Sequence, residues 1–176
     1  MSMSELPRVP EGLPWRVVVG IDPGTVTVGY GAIVLRSGGP RLLATGVLRS
    51  PRTRDVPVRL GHLRVALDDL LERLRPDVVV VEEAFSGANV QSALRVGEGR
   101  GVALACAACR GIEVVQYAPA VAKRSMSGNG GASKEQVARM VEQELGLDDG
   151  PRSLDATDAL ALALTYVHRS RVSGRL

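Results

Sequence analysis

A chain of 176 residues, 45% hydrophobic and 23% charged, is long enough to bury its own core and has the balance of an ordinary soluble single domain. No apolar run approaches a membrane span and the start lacks a signal-peptide core, so no membrane partner and a cytoplasmic address are expected. A formal charge of +3 does not by itself demand a polyanionic partner, but its distribution is uneven. Arg49, Arg52, Arg54, Arg59 and Arg64 crowd one stretch, and Arg169, Arg171 and Arg175 lie near the end. Either cluster reads equally well as a solvated face.

Residues 1–15 contain Pro7, Pro10 and Pro14 and are expected to form a flexible extension. Apolar runs predict strands at 16–22, 28–36 and 41–49, joined by glycine-containing turns into an antiparallel meander. Leu60, Leu63, Leu67, Leu70, Leu71 and Leu74 recur at helical spacing, predicting a helix over 58–74 that Arg75-Pro76 closes. A strand follows at 77–83, a helix at 89–109, a strand at 112–117 and a short helix after Pro119. Residues 125–132 form the most glycine-dense stretch and are expected to be a mobile loop. Ser133, with Gln136 three residues on, reads as the capping box of a helix from 134. The Ala/Leu-rich segment from 154 predicts a buried helix, and 170–176 a basic tail. This order gives an α/β domain over 16–169, a mixed sheet covered on both faces.

Four carboxylates carry the chemistry. Asp22 ends the run Val17 to Ile21, and Glu82 ends the run Val78 to Val81. Asp155 and Asp158 are spaced i, i+3 and share a helix face. Acidic groups at two strand ends and on one helix face are hard oxygen donors suited to divalent cations, and no histidine or cysteine cluster suggests zinc. Blander roles compete: Asp22 suits a turn before Pro23-Gly24, and Asp155 suits a helix N-cap with Asp158 in the first turn. Glu82 and Glu83 alternate across a strand, so at most one joins a common site. The two lysines, Lys123 and Lys134, flank the glycine-dense stretch. Lys134 would sit in a first helical turn, a poor place for a cation unless an anion comes there too. Cys106 and Cys109 lie in an apolar helical run and read as packing, and His168 is a weak candidate for the surroundings of the acidic helix.

Four blocks carry a family likeness over about residues 16 to 168. Gly20-Ile21-Asp22-Pro23-Gly24-Thr25 with Gly29-Tyr30-Gly31 resembles the opening strand of the RuvC crossover junction endodeoxyribonucleases, the bacterial Holliday junction resolvases. Val81-Glu82-Glu83-Ala84-Phe85 with Asn89, Ser92-Ala93-Leu94 and Gly99-Arg100-Gly101-Val102-Ala103 resembles their second acidic motif and its helix. Tyr117-Ala118-Pro119 with Val121, Lys123 and the loop up to Lys134 is similar to their DNA-facing loop, and Asp155-Ala156-Thr157-Asp158-Ala159-Leu160-Ala161 to their final acidic helix. The resemblance implies an RNase H-like fold with a five-stranded sheet and a homodimer. It also implies cleavage of four-way DNA junctions with two Mg2+ or Mn2+ ions held by Asp22, Glu82, Asp155 and Asp158, where Lys134 stabilises charge on the phosphate. Phe85, Asn89, Lys123, Arg124 and Lys134 are then DNA contacts, and a branch-migration complex of RuvA and RuvB a potential partner. Two rivals differ in class. The turn Asp22-Pro23-Gly24-Thr25 is also similar to the phosphate turn of actin-like and sugar-kinase ATPases, and a junction-binding protein without catalysis would share the fold.

Overall fold

The computed structural model describes residues 6–52, 55–83, 90–147 and 153–172. In chain order the elements are β1 (Arg16–Asp22), β2 (Thr27–Arg36), β3 (Gly39–Arg49), α1 (Val56–Leu74), β4 (Val78–Glu82), α2 (Val90–Cys109), β5 (Glu113–Tyr117), α3 (Pro119–Ser127), α4 (Lys134–Leu145) and α5 (Leu154–Val172). The strands form one sheet in the order β3-β2-β1-β4-β5. The first three pair antiparallel, whereas β4 runs parallel to β1 and β5 parallel to β4.

Strand alternation sorts the core onto two faces. Val17, Val19, Ile21, Val79 and Val81 pack with Leu63, Leu67, Leu70 and Leu71 of α1 and with Ala103 and Ala107 of α2. Val18, Ile33, Val78 and Val80 face Val137 and Val141 of α4 and Leu160, Leu162 and Leu164 of α5. Gly20 is in phase with Val18, so Asp22, two residues further, also points to the α5 face.

The seat of α5 is built from glycine. Gly20 pairs with Gly31 across β1 and β2, and Asp22 pairs with Gly29. A Cβ at residue 20 would lie 1.9 Å from the carbonyl oxygen of Ala159, one at residue 29 would lie 2.1 Å from that of Asp155, and one at residue 31 would lie 2.6 Å from Cγ of Leu160. Helix α5 thus rests on bare strand backbone, with its first turn beside the end of β1.

Three sequence expectations change. Helix α3 continues to Ser127 and ends on Gly128 at φ 73°, so the first three residues of the expected loop are helical. The remaining turn is tied: the Ser127 hydroxyl donates to the Lys123 carbonyl at 2.8 Å, and the Gly131 amide donates to Asn129 Oδ1 at 2.9 Å. The described part of the expected flexible extension, from Leu6 on, lies against α1, where Leu6 and Val9 are buried, the Val9 amide donates to the Arg73 carbonyl at 2.9 Å and Glu11 pairs with Arg75. Helix α5 extends to Val172, which takes the first residues of the expected tail.

Because the contact is backbone on backbone, Gly20→Ala should lower the melting temperature by about 10 °C or more, or block folding. Gly38→Ala, at a turn where a Cβ meets nothing, should leave it unchanged. Equal melting curves for the two variants would show that α5 is not seated this closely.

Candidate active site

Parallel pairing aligns Ile21 of β1 with Val81 of β4, so Asp22 and Glu82 are the next residues along adjacent strands. Glu82 is in phase with Val78 and Val80 on the α5 face, whereas Glu83 falls in the other phase and is exposed. Asp155 stands in the first turn of α5 over Gly29, and Asp158 follows one turn later. The cap of that helix is Ser153, whose Oγ accepts from the Ala156 amide at 3.4 Å, so Asp155 is not the cap its spacing allowed. Asp22, Glu82, Asp158, Lys123 and Lys134 line a cleft of about 250 Å³ whose apolar walls include Pro119 and Ala122 of α3.

Crowding of like charge is the dominant property here. The Asp22 carboxyl is pushed up to about 7, first by burial and then by Glu82, Asp158 and Asp155, against the pull of Lys134. Glu82 is raised as well, by burial and then by Asp158, while Lys134 and Lys123 act in the opposite sense. The Lys134 ammonium lies 2.5 Å from Asp158 Oδ2. Burial works to lower its pKa, but the bond to Asp158 and the charges of Asp158, Asp22 and Asp155 outweigh that, and the net shift is upward. The capping box is formed, with Gln136 N–H donating to Ser133 Oγ and Ser133 N–H to Gln136 Oε1, and it fixes Lys134 at the start of α4. The anion that this position calls for is supplied by α5.

Four carboxylates with one bound ammonium leave a surplus of negative charge, and the donors are all hard oxygens. In kind and in charge the set fits divalent metal ions. Among the described residues no three His, Cys, Asp or Glu side chains are drawn together at ligand spacing, and Lys134 on Asp158 supplies part of the missing positive charge.

Of the other expected site residues, Lys123 reaches the cleft. Arg124 does not; it lines a separate cavity of about 470 Å³ with Val121, Ser125, His168, Arg169 and Val172. His168 is ten residues beyond Asp158 on α5, about 15 Å along the axis. Its Nδ1 lies 3.0 Å from Ser125 Oγ and its Nε2 lies 2.8 Å from Glu144 Oε1, so it ties α3 and α4 to α5. Phe85 and Asn89 lie outside the described residues. Cys106 is buried with its thiol pushed up to about 11, chiefly by burial, as suits packing.

Sequence reasoning gave Arg100 no role. Its Nε donates to the Glu82 carbonyl at 3.0 Å, and its guanidinium also bonds the Gln116 side chain on β5. One residue earlier, a Cβ at Gly99 would lie 2.3 Å from the Gly24 carbonyl oxygen. Helix α2 thereby braces both strand ends that carry acids. A glycine-arginine pair in a helix is the only trace of this in the sequence.

A sheet of this order, with acids at the ends of two adjacent inner strands and on the helix packed across them, defines an RNase H-like domain. The family model for the crossover junction endodeoxyribonuclease RuvC matches residues 18–166. The chain is 46% identical to RuvC of Chloroflexus aurantiacus over 150 residues, which cover 85% of this chain and 92% of that protein. It is 43% identical to RuvC of Moorella thermoacetica over 150 residues, with coverages of 85% and 90%. Among solved structures, RuvC of Thermus thermophilus in complex with a Holliday junction substrate superposes with a TM-score of 0.82 at 36% identity, covering 90% of this chain and 96% of that one. The chain belongs to the RuvC family of crossover junction endodeoxyribonucleases.

The raised carboxyl of Asp22 has a definite sign in stability. Between about pH 4 and 7 the folded state holds this proton more tightly than the unfolded state, so its contribution to stability falls as pH rises through that window. Asp22→Asn should therefore raise the melting temperature of the metal-free protein by several degrees at pH 8 and by almost nothing at pH 4. A difference from wild type that does not vary with pH in thermal melts would remove the carboxylate crowding.

Proposed function

We propose that this protein is a structure-selective endonuclease that resolves four-way (Holliday) DNA junctions in recombination and repair. Two symmetric cuts would leave 5′-phosphate and 3′-hydroxyl ends. The observation that carries this reading is the acidic cleft, where the half-buried Asp22, its carboxyl pushed up to about 7, stands beside Glu82, Asp155 and Asp158 in a chain of this family. The family implies dependence on divalent metal. We assign the four carboxylates as the holders of two Mg2+ or Mn2+ ions. Bound there, such ions neutralise phosphate charge and lower the pKa of water.

The chain's own groups do the rest. Asp22 has to give up its proton before it can serve as a ligand, so proton and metal compete for this carboxyl below about pH 7. Lys134, once parted from Asp158, is placed on the rim of the cleft to stabilise charge on the phosphate. Lys123 adds a second cation on the α3 side, and Phe85 and Asn89 are assigned to the opened centre of the junction. Arg124 is assigned to a DNA arm beyond the cleft.

Paired cuts on opposed strands call for a two-fold dimer. We assign its contact to the outer face of α2, where Val90 is 73% and Leu94 is 62% exposed and a Cβ at Gly97 or Gly101 would meet nothing. These four residues recur at helical spacing and form a small, apolar stripe. A branch-migration complex of RuvA and RuvB is the proposed escort, and the proposed place of action is the cytoplasm. No described helix is long and apolar enough to cross a membrane.

The first experiment is cleavage of a synthetic four-way junction with added Mg2+ or Mn2+, using a linear duplex as control. A junction bound but uncut would leave a binding protein without catalysis. Lys134→Ala makes a sharper prediction, because the ammonium competes with metal for Asp158. Without DNA, Mn2+ binding followed by electron paramagnetic resonance should tighten in the variant, while single-turnover cleavage falls about 100-fold. Weaker Mn2+ binding, or cleavage at the wild-type rate, would overturn the role given to Lys134.

A further inference from the structure

On the α2 side of the sheet, a cleft of about 610 Å³ opens at the turn that follows Asp22. It is lined by Gly24 and Thr25 of that turn, Arg52 from the β3–α1 connection, Arg59 of α1, and Ser92 and Arg95 of α2. We propose that this cleft binds a backbone phosphate of the DNA, one that flanks the cut strand; the inference rests on the junction-nuclease reading.

Three observations point to an anion. Three guanidinium groups from three separate stretches of chain line one space, and among the described residues no carboxylate lines it. Arg95 does pair with Glu98 at 3.1 Å, in a contact open to solvent. The Nε of Arg59 is buried and has no hydrogen-bond partner among the described residues, an arrangement that a native structure rarely leaves unanswered. Planar, permanently charged guanidinium groups match phosphate oxygens, and the hydroxyls of Thr25 and Ser92 on the wall are further donors. Position identifies the source of the phosphate. Gly24 is two residues from Asp22, so the arginine cleft and the acidic cleft lie on either side of one turn. A strand drawn into the acidic cleft passes over that turn, and a positive site beside it offsets the repulsion that four carboxylates impose on the backbone.

The test is junction binding by fluorescence anisotropy without divalent metal, over a range of salt concentrations. Arg52→Gln and Arg59→Gln should each weaken binding several-fold and reduce the slope of log K against log salt by about 1, the release expected for one phosphate contact. Arg36→Gln is the control, since Arg36 ends β2 at the opposite end of the strand from Gly29 and stacks over Trp15 at 4.5 Å. It should change neither quantity. Arg59→Lys, which keeps the charge and loses the fork, should recover the slope more than the affinity. Unchanged slopes in both glutamine variants, with melting temperatures as in wild type, would overturn the proposal. So would a thermal shift by inorganic phosphate that Arg59→Gln abolishes while junction binding is untouched, because the cleft would then serve a free phosphate. If Arg59→Gln does not fold, Arg52→Gln decides alone. A wild-type protein that fails to bind the junction at all would instead defeat the function on which the inference rests.

Discussion

The site depends on how closely α5 approaches the sheet. An ordinary helix on a sheet is held off by the side chains between them, and the first turn of such a helix would stand well away from the strand ends. Here Gly20, Gly29 and Gly31 remove those side chains where β1 and β2 pair, and the helix backbone descends onto strand backbone. Asp155 then stands over the residue that pairs with Asp22, and Asp158 faces the cleft one turn later. Parallel pairing of β1 with β4 sets Glu82 beside Asp22 at the same time. Two independent constraints, a glycine seat and a strand register, thus converge on one small volume.

That convergence works against folding, because carboxylates held together and partly dehydrated repel one another. The fold absorbs the conflict in two ways. Asp22 holds a proton up to about pH 7, and the ammonium of Lys134 pairs with Asp158. Lys134 itself is held by its place directly after a capping box, so the compensating charge is positioned by backbone and not only by a flexible side chain. A group that balances the site in the absence of metal must yield when a stronger cation arrives. Stability without metal and readiness for metal are therefore set by the same pair of residues.

The separate legibility of fold and site follows from which interactions are local. Strand runs, the leucine period of α1 and the Ser133–Gln136 capping box are local patterns, and they place the elements and Lys134 correctly. Alternation alone separates Glu82 from Glu83, since it is the geometry of a strand whatever lies beyond it. Three features needed contacts distant in sequence. Gly20, Gly29 and Gly31 look like turn or strand glycines until α5 is seen above them. Leu6 and Val9, scattered among prolines, give no periodic signal, yet both are buried in the core cluster that α1 shares with the sheet. His168 is near the acids in sequence but is carried away by the helix rise, and it serves to tie α3 and α4 to α5. The resemblance makes both Lys123 and Arg124 DNA contacts, but adjacent residues on a helix diverge by about 100°, and the two line different cavities.

Helix α2 joins these matters. With 3.6 residues per turn, Ser92, Arg95, Val96 and Gly99 share one side, while Val90, Leu94, Gly97 and Gly101 share the opposite side. The inner side touches the turn after Asp22 through Gly99 and lines the arginine cleft, and Arg100 at its margin holds the carbonyl of Glu82. The outer side is the small, apolar stripe proposed as the contact with a second copy. A helix in this position cannot shift on one side without moving the other, because its interior is a rigid hydrogen-bonded rod. Whatever docks on the outer stripe is therefore joined to the turn after Asp22 and to the Glu82 carbonyl by one helix, through the close approach of Gly99 to Gly24 and the bond from Arg100.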